Sequence, residues 1–297
     1  MTEPVCAARV ISEIGHHMAQ QDLATFSNFS RQVKCPSSAV LNRAVALLFR
    51  AISGGVLCAG LIGSLAFLPI AMAQGAVTRR RVPILPPANG PHHGRVAGVG
   101  KPIRLLAIGE SSVSGVGVSR SDETVAAVTA RALGRLTNRP VVWRALGFSG
   151  ATAREATAQL VHRFVPEPID VLVVAFGVND ATSYRSPIGF TKDIVELLTT
   201  ARARVGDAAV VIAGVAPLSS FPALPWPLRT ILGWRSKALQ AAVDRVPDRL
   251  TGVVVERFST PLGADLFAED KFHPNSKAHE LWGEGIAALA LPLVRPK

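Results

Sequence analysis

A handful of residues, far apart in the chain, carry the side chains that acyl transfer at a serine requires. A serine hydroxyl attacks a carbonyl only when a base removes its proton. Histidine suits that task, and a carboxylate fixes the histidine tautomer and stabilises the imidazolium. Ser111 is the candidate nucleophile, standing just past the apolar run Leu105–Ile108 in LLAIGESSVSGVG. Asp270 and His273, three apart in AEDKFHPNS, are the candidate orienting acid and base. Pro274 disfavours helix at His273, so the pair belongs on a loop, with Asn275 or Ser276 placed to cap the helix that follows. The oxyanion of a tetrahedral intermediate needs donors aimed at it. The candidates are the backbone N–H of Ser111, that of Gly150 in GFSG and the side-chain amide of Asn179 in GVND. At Gly150 the missing side chain would let the backbone approach a substrate. Each feature alone says little: Asn179 and Asp180 also read as helix caps, and Ser112 and Ser149 read as turn residues. Their joint occurrence, in order along the chain, is the signal.

The elements that must position these residues follow from the apolar pattern. Strand-length apolar runs occur at Arg104–Ile108, Val141–Leu146, Val171–Phe176, Val210–Ala213 and Val253–Val255. Helical patterns follow near Thr124–Leu136, Thr152–Phe164, Phe190–Arg204, Ile231–Val246 and Ser276–Leu291. Strands alternating with helices predict βαβ units, a parallel sheet covered on both faces and a three-layer α/β/α sandwich over 101–297. Ser111, Gly150 and Asn179 each follow a strand, so all stand at the C-terminal edge of that sheet, where α/β folds bind ligands.

In these four stretches the chain resembles the SGNH hydrolases, the GDSL-type esterases and lipases, over roughly residues 101–295. GES supplies Ser111, GFSG supplies Gly150, GVND supplies Asn179, and DKFH supplies Asp270 and His273. The resemblance implies a five-stranded, flavodoxin-like parallel sheet, a Ser111–His273–Asp270 triad and an oxyanion hole of Ser111, Gly150 and Asn179. It also implies a carboxylic ester substrate, small or lipid, with no metal or organic cofactor. Glu110 stands where the family usually has Asp, which implies a change in the hydrogen bonding of the turn and not in the triad.

The N-terminal third has a different character. Residues 1–100 hold nine Lys/Arg against three acids, and no acid occurs between Asp22 and Glu110. That excess argues for a membrane-flanking role, and no nucleic-acid-binding motif accompanies it. The three cysteines, Cys6, Cys35 and Cys58, all precede the candidate catalytic region, which excludes a disulfide framework there. Residues 1–45 read as a poorly ordered tail. Residues 51–78 carry no charge, and a hydrocarbon core takes about 20 apolar residues to cross. A transmembrane helix is therefore expected within 46–78, with residues 51–73 as the membrane partner. The rival is a cleaved signal peptide ending near Ala71-Met72-Ala73. Flanking arginines weigh towards a cytoplasmic catalytic domain on a single-pass anchor. Residues 79–100, basic and rich in Pro and Gly, are expected to be a linker.

One more stretch invites a functional reading. Pro217–Leu228, PLSSFPALPWPL, is charge-free and follows the fourth strand. Phe221 and Trp226 are its candidate substrate contacts, as an apolar wall or lid for an acyl chain; a Pro-rich crossover packed on the domain is the alternative. The chain thus reads as an anchored serine esterase. An acyltransferase using the same triad and a non-catalytic tethered binding domain are the rival functions.

Overall fold

The computed structural model describes residues 67–163, 167–258 and 262–294. The tail expected at 1–45 and most of the span expected at 46–78 lie outside them.

Six strands form one sheet: β1 (His93–Val96), β2 (Ile103–Gly109), β3 (Val141–Gly147), β4 (Val171–Ala175), β5 (Ala209–Ile212) and β6 (Val253–Val255), in the order β1-β3-β2-β4-β5-β6. The pairs from β3 to β6 are parallel and β1 runs antiparallel to β3. The five strands read from the sequence are all present. The all-parallel, five-stranded sheet expected is corrected by β1, which arises inside the stretch expected to be a linker. HGRV has no apolar alternation to announce it. It pairs through its backbone, with Arg95 opposite Val142 and Gly94 lying against the Trp143 ring.

The central strands are buried on both faces, so their side chains divide between two cores. Leu106, Ile108, Leu172 and Val174 face α3 (Ala153–Arg163), α5 (Pro187–Val205) and α6 (Leu228–Val243). Leu105, Ala107, Val171 and Val173 face α2 (Val125–Thr137) and α7 (Ser276–Val294). A short helix, α4 (Val178–Thr182), follows β4. The chain leaves β2 for β3 on one side and then crosses to β4 on the other. The strand order therefore reverses at β2, opening a crevice beyond the C-terminal ends of β2 and β4.

Ahead of the sheet, α1 (Leu68–Arg81) has Pro69 in its first turn and Arg79, Arg80 and Arg81 in its last, where cations favour the helix dipole. It lies on the domain: Ala71 is fully buried, and the Gln74 side chain donates to Trp226 O (2.8 Å) and accepts from Leu228 N (3.1 Å). Among the described residues no helix is long and apolar enough to cross a membrane. Residues 68–78, expected to end a transmembrane helix, instead share one 14-residue helix with the three arginines. The chain beyond is also held. Ala88 is buried and its N–H donates to Ser114 O, while Asn89 N–H donates to Ser119 O.

Candidate active site

The turn after β2 brings Ser111 to the crevice, half-buried. Its Oγ is 3.0 Å from His273 Nε2, and His273 Nδ1 is 2.6 Å from Asp270 Oδ2. Asp270 is buried, and its second oxygen accepts the backbone N–H groups of Phe272 and His273, both at 2.9 Å. An anchored carboxylate that accepts a hydrogen bond from Nδ1–H leaves the Nε2 lone pair directed at Ser111. The DxxH loop is in turn pinned to α7. Asn275 Oδ1 accepts Ala278 N–H in the first turn, as a cap does, and Asn275 Nδ2 donates to Asp265 O and Phe267 O. Of the two capping candidates, Asn275 makes the bond.

The oxyanion candidates converge on the same place. Neither Ser111 N–H nor Gly150 N–H has an acceptor among the described residues. Gly150 has a φ of 81°, and a Cβ built there meets nothing within 4 Å. Glycine therefore suits the left-handed backbone at this position. Asn179 Nδ2 donates one hydrogen to Ala151 O (3.1 Å), which leaves the other for the cleft.

Glu110 does more than fill the turn. It is buried, and its carboxylate accepts three successive backbone N–H groups: Gly177, Val178 at 2.9 Å and Asn179 at 3.0 Å. It therefore clamps the turn that carries Asn179 to the turn that carries Ser111. Burial pushes its pKa up to about 8, outweighing the downward pull of those N–H bonds. Beside it Asp180, fully buried, accepts Ala153 N–H at the start of α3, while its other oxygen has no partner. It caps the helix before its own strand, not the one after, and burial raises its pKa to about 6. Sequence reasoning missed both roles, since a carboxylate in a turn ordinarily reads as solvated.

The crevice continues into a cavity of about 1410 Å³ lined mainly by apolar side chains. Phe221 is 4% exposed and meets Phe267 and Phe272 edge-on, with ring centres 5.0 and 5.1 Å away. It lines the cleft. Trp226 does not: it is 66% exposed, lies outside the cleft lining and stands edge-on to the Phe67 ring, 6.0 Å away. The stretch turns at Phe221, so only its first part faces the cleft. The sequence also gave no sign that α1 supplies the opposite wall, through Ala71, Gly75 and Thr78. Glu256, just past β6, also lines the cleft; it accepts the Trp282 indole N–H (2.7 Å), and burial raises its pKa to about 6. No group of side chains suited to hold a metal occurs among the described residues.

The strand-order reversal of this α/β fold thus brings a Ser–His–Asp hydrogen-bond chain and two N–H groups without acceptors to one crevice. The profile of the GDSL-like Lipase/Acylhydrolase family matches residues 107–281. The chain belongs to that family. Among known proteins it is similar to the GDSL-like esterase Rv1075c of Mycobacterium tuberculosis, 27% identical over 188 residues. The match covers 60% of this chain and 59% of that protein. Among solved structures it is similar to TesA, with a TM-score of 0.51 and 19% identity over 64% of this chain and 99% of the other. It is also similar to the lipase Lip_vut3 from a goat rumen metagenome, with a TM-score of 0.50 and 17% identity over 63% and 96%. At such identities these two likenesses speak to the fold alone.

Proposed function

We propose that this protein is a carboxylic ester hydrolase working through an acyl-enzyme on Ser111. The observation that carries the reading is the unbroken hydrogen-bond chain Ser111 Oγ–His273–Asp270 at the mouth of an apolar cleft. Ser111 Oγ attacks the ester carbonyl carbon as its proton passes to His273 Nε2. Asp270 holds the resulting imidazolium. The oxyanion sits among Ser111 N–H, Gly150 N–H and the Asn179 amide. The imidazolium then protonates the departing alcohol, and a water activated by the same histidine releases the acid. Every step uses groups of the chain itself.

The cleft is large enough for an acceptor alcohol beside an acyl chain, which favours acyl transfer as the second reading. Of the expected membrane partner, residues 51–73, the part that precedes α1 is proposed to tether the domain to a membrane, on the cytoplasmic side; its lack of charge and the flanking arginines support this. The test is hydrolysis of p-nitrophenyl esters from acetate to palmitate by the full chain and by Ser111→Ala, with and without added alcohols. Turnover lost in the variant supports the reading, and ester products formed at the expense of acid favour transfer. Equal turnover in both proteins refutes Ser111 as nucleophile.

A further inference from the structure

One face of α1 is unlike the rest of the surface. Its inner side touches the domain through Gln74 and lines the cleft through Ala71, Met72, Gly75 and Thr78. Its outer side is Pro69, Ile70, Ala73, Ala76 and Val77, all exposed and none polar. Ile70 is 52% exposed and Val77 44%. A helix that faces water ordinarily carries charge on that side. Here no charge occurs until Arg79, Arg80 and Arg81, which close the helix together. The apolar face extends sideways through Phe67 onto the exposed Trp226 ring, and Arg229 lies exposed one turn further along. Exposed apolar side chains edged by an aromatic and ending in arginines suit contact with an anionic lipid interface.

We propose that the outer face of α1, with Trp226, docks on an anionic lipid bilayer, and that α1 thereby sets the mouth of the cleft against the membrane. The substrate class that follows is an ester with a long acyl chain held in the bilayer, which enters the cleft beside α1 without crossing water. The charge complementarity of the three arginines with anionic headgroups selects a lipid surface as the occupant. The substrate half of this proposal rests on the esterase reading above; the docking half does not.

The experiment uses the full chain with phosphatidylcholine–phosphatidylglycerol vesicles. Residues 1–66 contain no tryptophan, so indole fluorescence reports only on the domain. Acyl-chain-brominated lipid should quench the wild-type emission, and Trp226→Phe should lose most of that quenching. Absence of quenching, or equal quenching in Trp226→Phe, overturns the docking and points to a protein segment over the face. A second arm compares wild type with Ile70→Glu/Val77→Glu, whose altered side chains point away from the cleft. Hydrolysis of a vesicle-borne palmitate ester should fall about tenfold while hydrolysis of soluble p-nitrophenyl acetate stays unchanged. Equal activity on the vesicle ester overturns the delivery route. Failure of wild type on p-nitrophenyl acetate counts instead against the esterase reading, with the quenching result still standing.

Discussion

The two sides of the cleft are built by different forces. The sheet edge that carries Ser111, Asn179 and the DxxH loop is joined by directed polar bonds: Asp270 to two backbone amides and His273, Glu110 to three amides of the neighbouring turn. The facing wall, from α1, Phe221, Phe267 and Phe272, is made mainly of apolar side chains drawn from distant parts of the chain, the rings meeting edge-on and α1 tied down by Gln74. Polar bonds fix positions within tenths of an ångström, as proton transfer demands, whereas apolar walls fix only a volume. Changes on the first side should therefore alter rate, and changes on the second should alter which ester is taken.

The largest effect should come from His273→Ala. With the base gone, kcat on any ester should fall on the order of 10⁴–10⁶-fold, read by steady-state kinetics with little change in KM. Asn179→Ala should follow, at about 10²–10³-fold in kcat for the loss of one oxyanion donor. A fall under threefold would remove Asn179 from the oxyanion site.

Glu110→Gln sharpens the comparison, because it breaks the clamp between turns and leaves the triad in place. The amide cannot accept at both positions, so an orphaned N–H should cost about 1–3 kcal/mol in urea unfolding. A raised folded pKa means that the wild type loses stability as pH climbs from about 4.5 to 8. The stability gap between wild type and Glu110→Gln should therefore narrow over that range. A gap independent of pH would mean that Glu110 is ionised throughout.

On the apolar side the expected effects are smaller and selective. Phe221→Leu should shift the preference between butyrate and palmitate esters several-fold with kcat on acetate retained. Trp226→Ala should leave the same profile, measured on detergent-dispersed esters, unchanged, because its ring lies outside the cleft. A separate, pH-dependent effect belongs to His279, which is buried and accepts Val125 N–H at the start of α2. Burial lowers its pKa to about 4 from 6.5. The unfolded chain thus binds the extra proton first, and stability should fall as pH drops from 6.5 towards 4. Denaturant midpoints across that interval should slope less in His279→Asn.

The same division decides what the sequence made legible. Ser111 and Asn179 announce themselves because each is a polar type at a turn after an apolar run, and Asp270 and His273 because they stand three apart just before Pro274. The five inner strands are legible because burial on both faces demands unbroken Val, Leu and Ile. β1 was not, since an edge strand made by backbone pairing needs no apolar pattern, and HGRV has little. Trp226 shows the opposite failure: an apolar type states that a side chain prefers cover, not which surface provides it. Glu110 and Asp180 were hidden because a carboxylate reveals its backbone partners only after folding brings the turns together.

The central claim is that Ser111 is the nucleophile activated by His273. The most direct test is reaction of the full chain with a fluorophosphonate, followed by peptide mass spectrometry. The account predicts a single adduct on Ser111, absent in Ser111→Ala and formed far more slowly in His273→Ala. An adduct on Ser112 or Ser149, or labelling indifferent to His273, would contradict it.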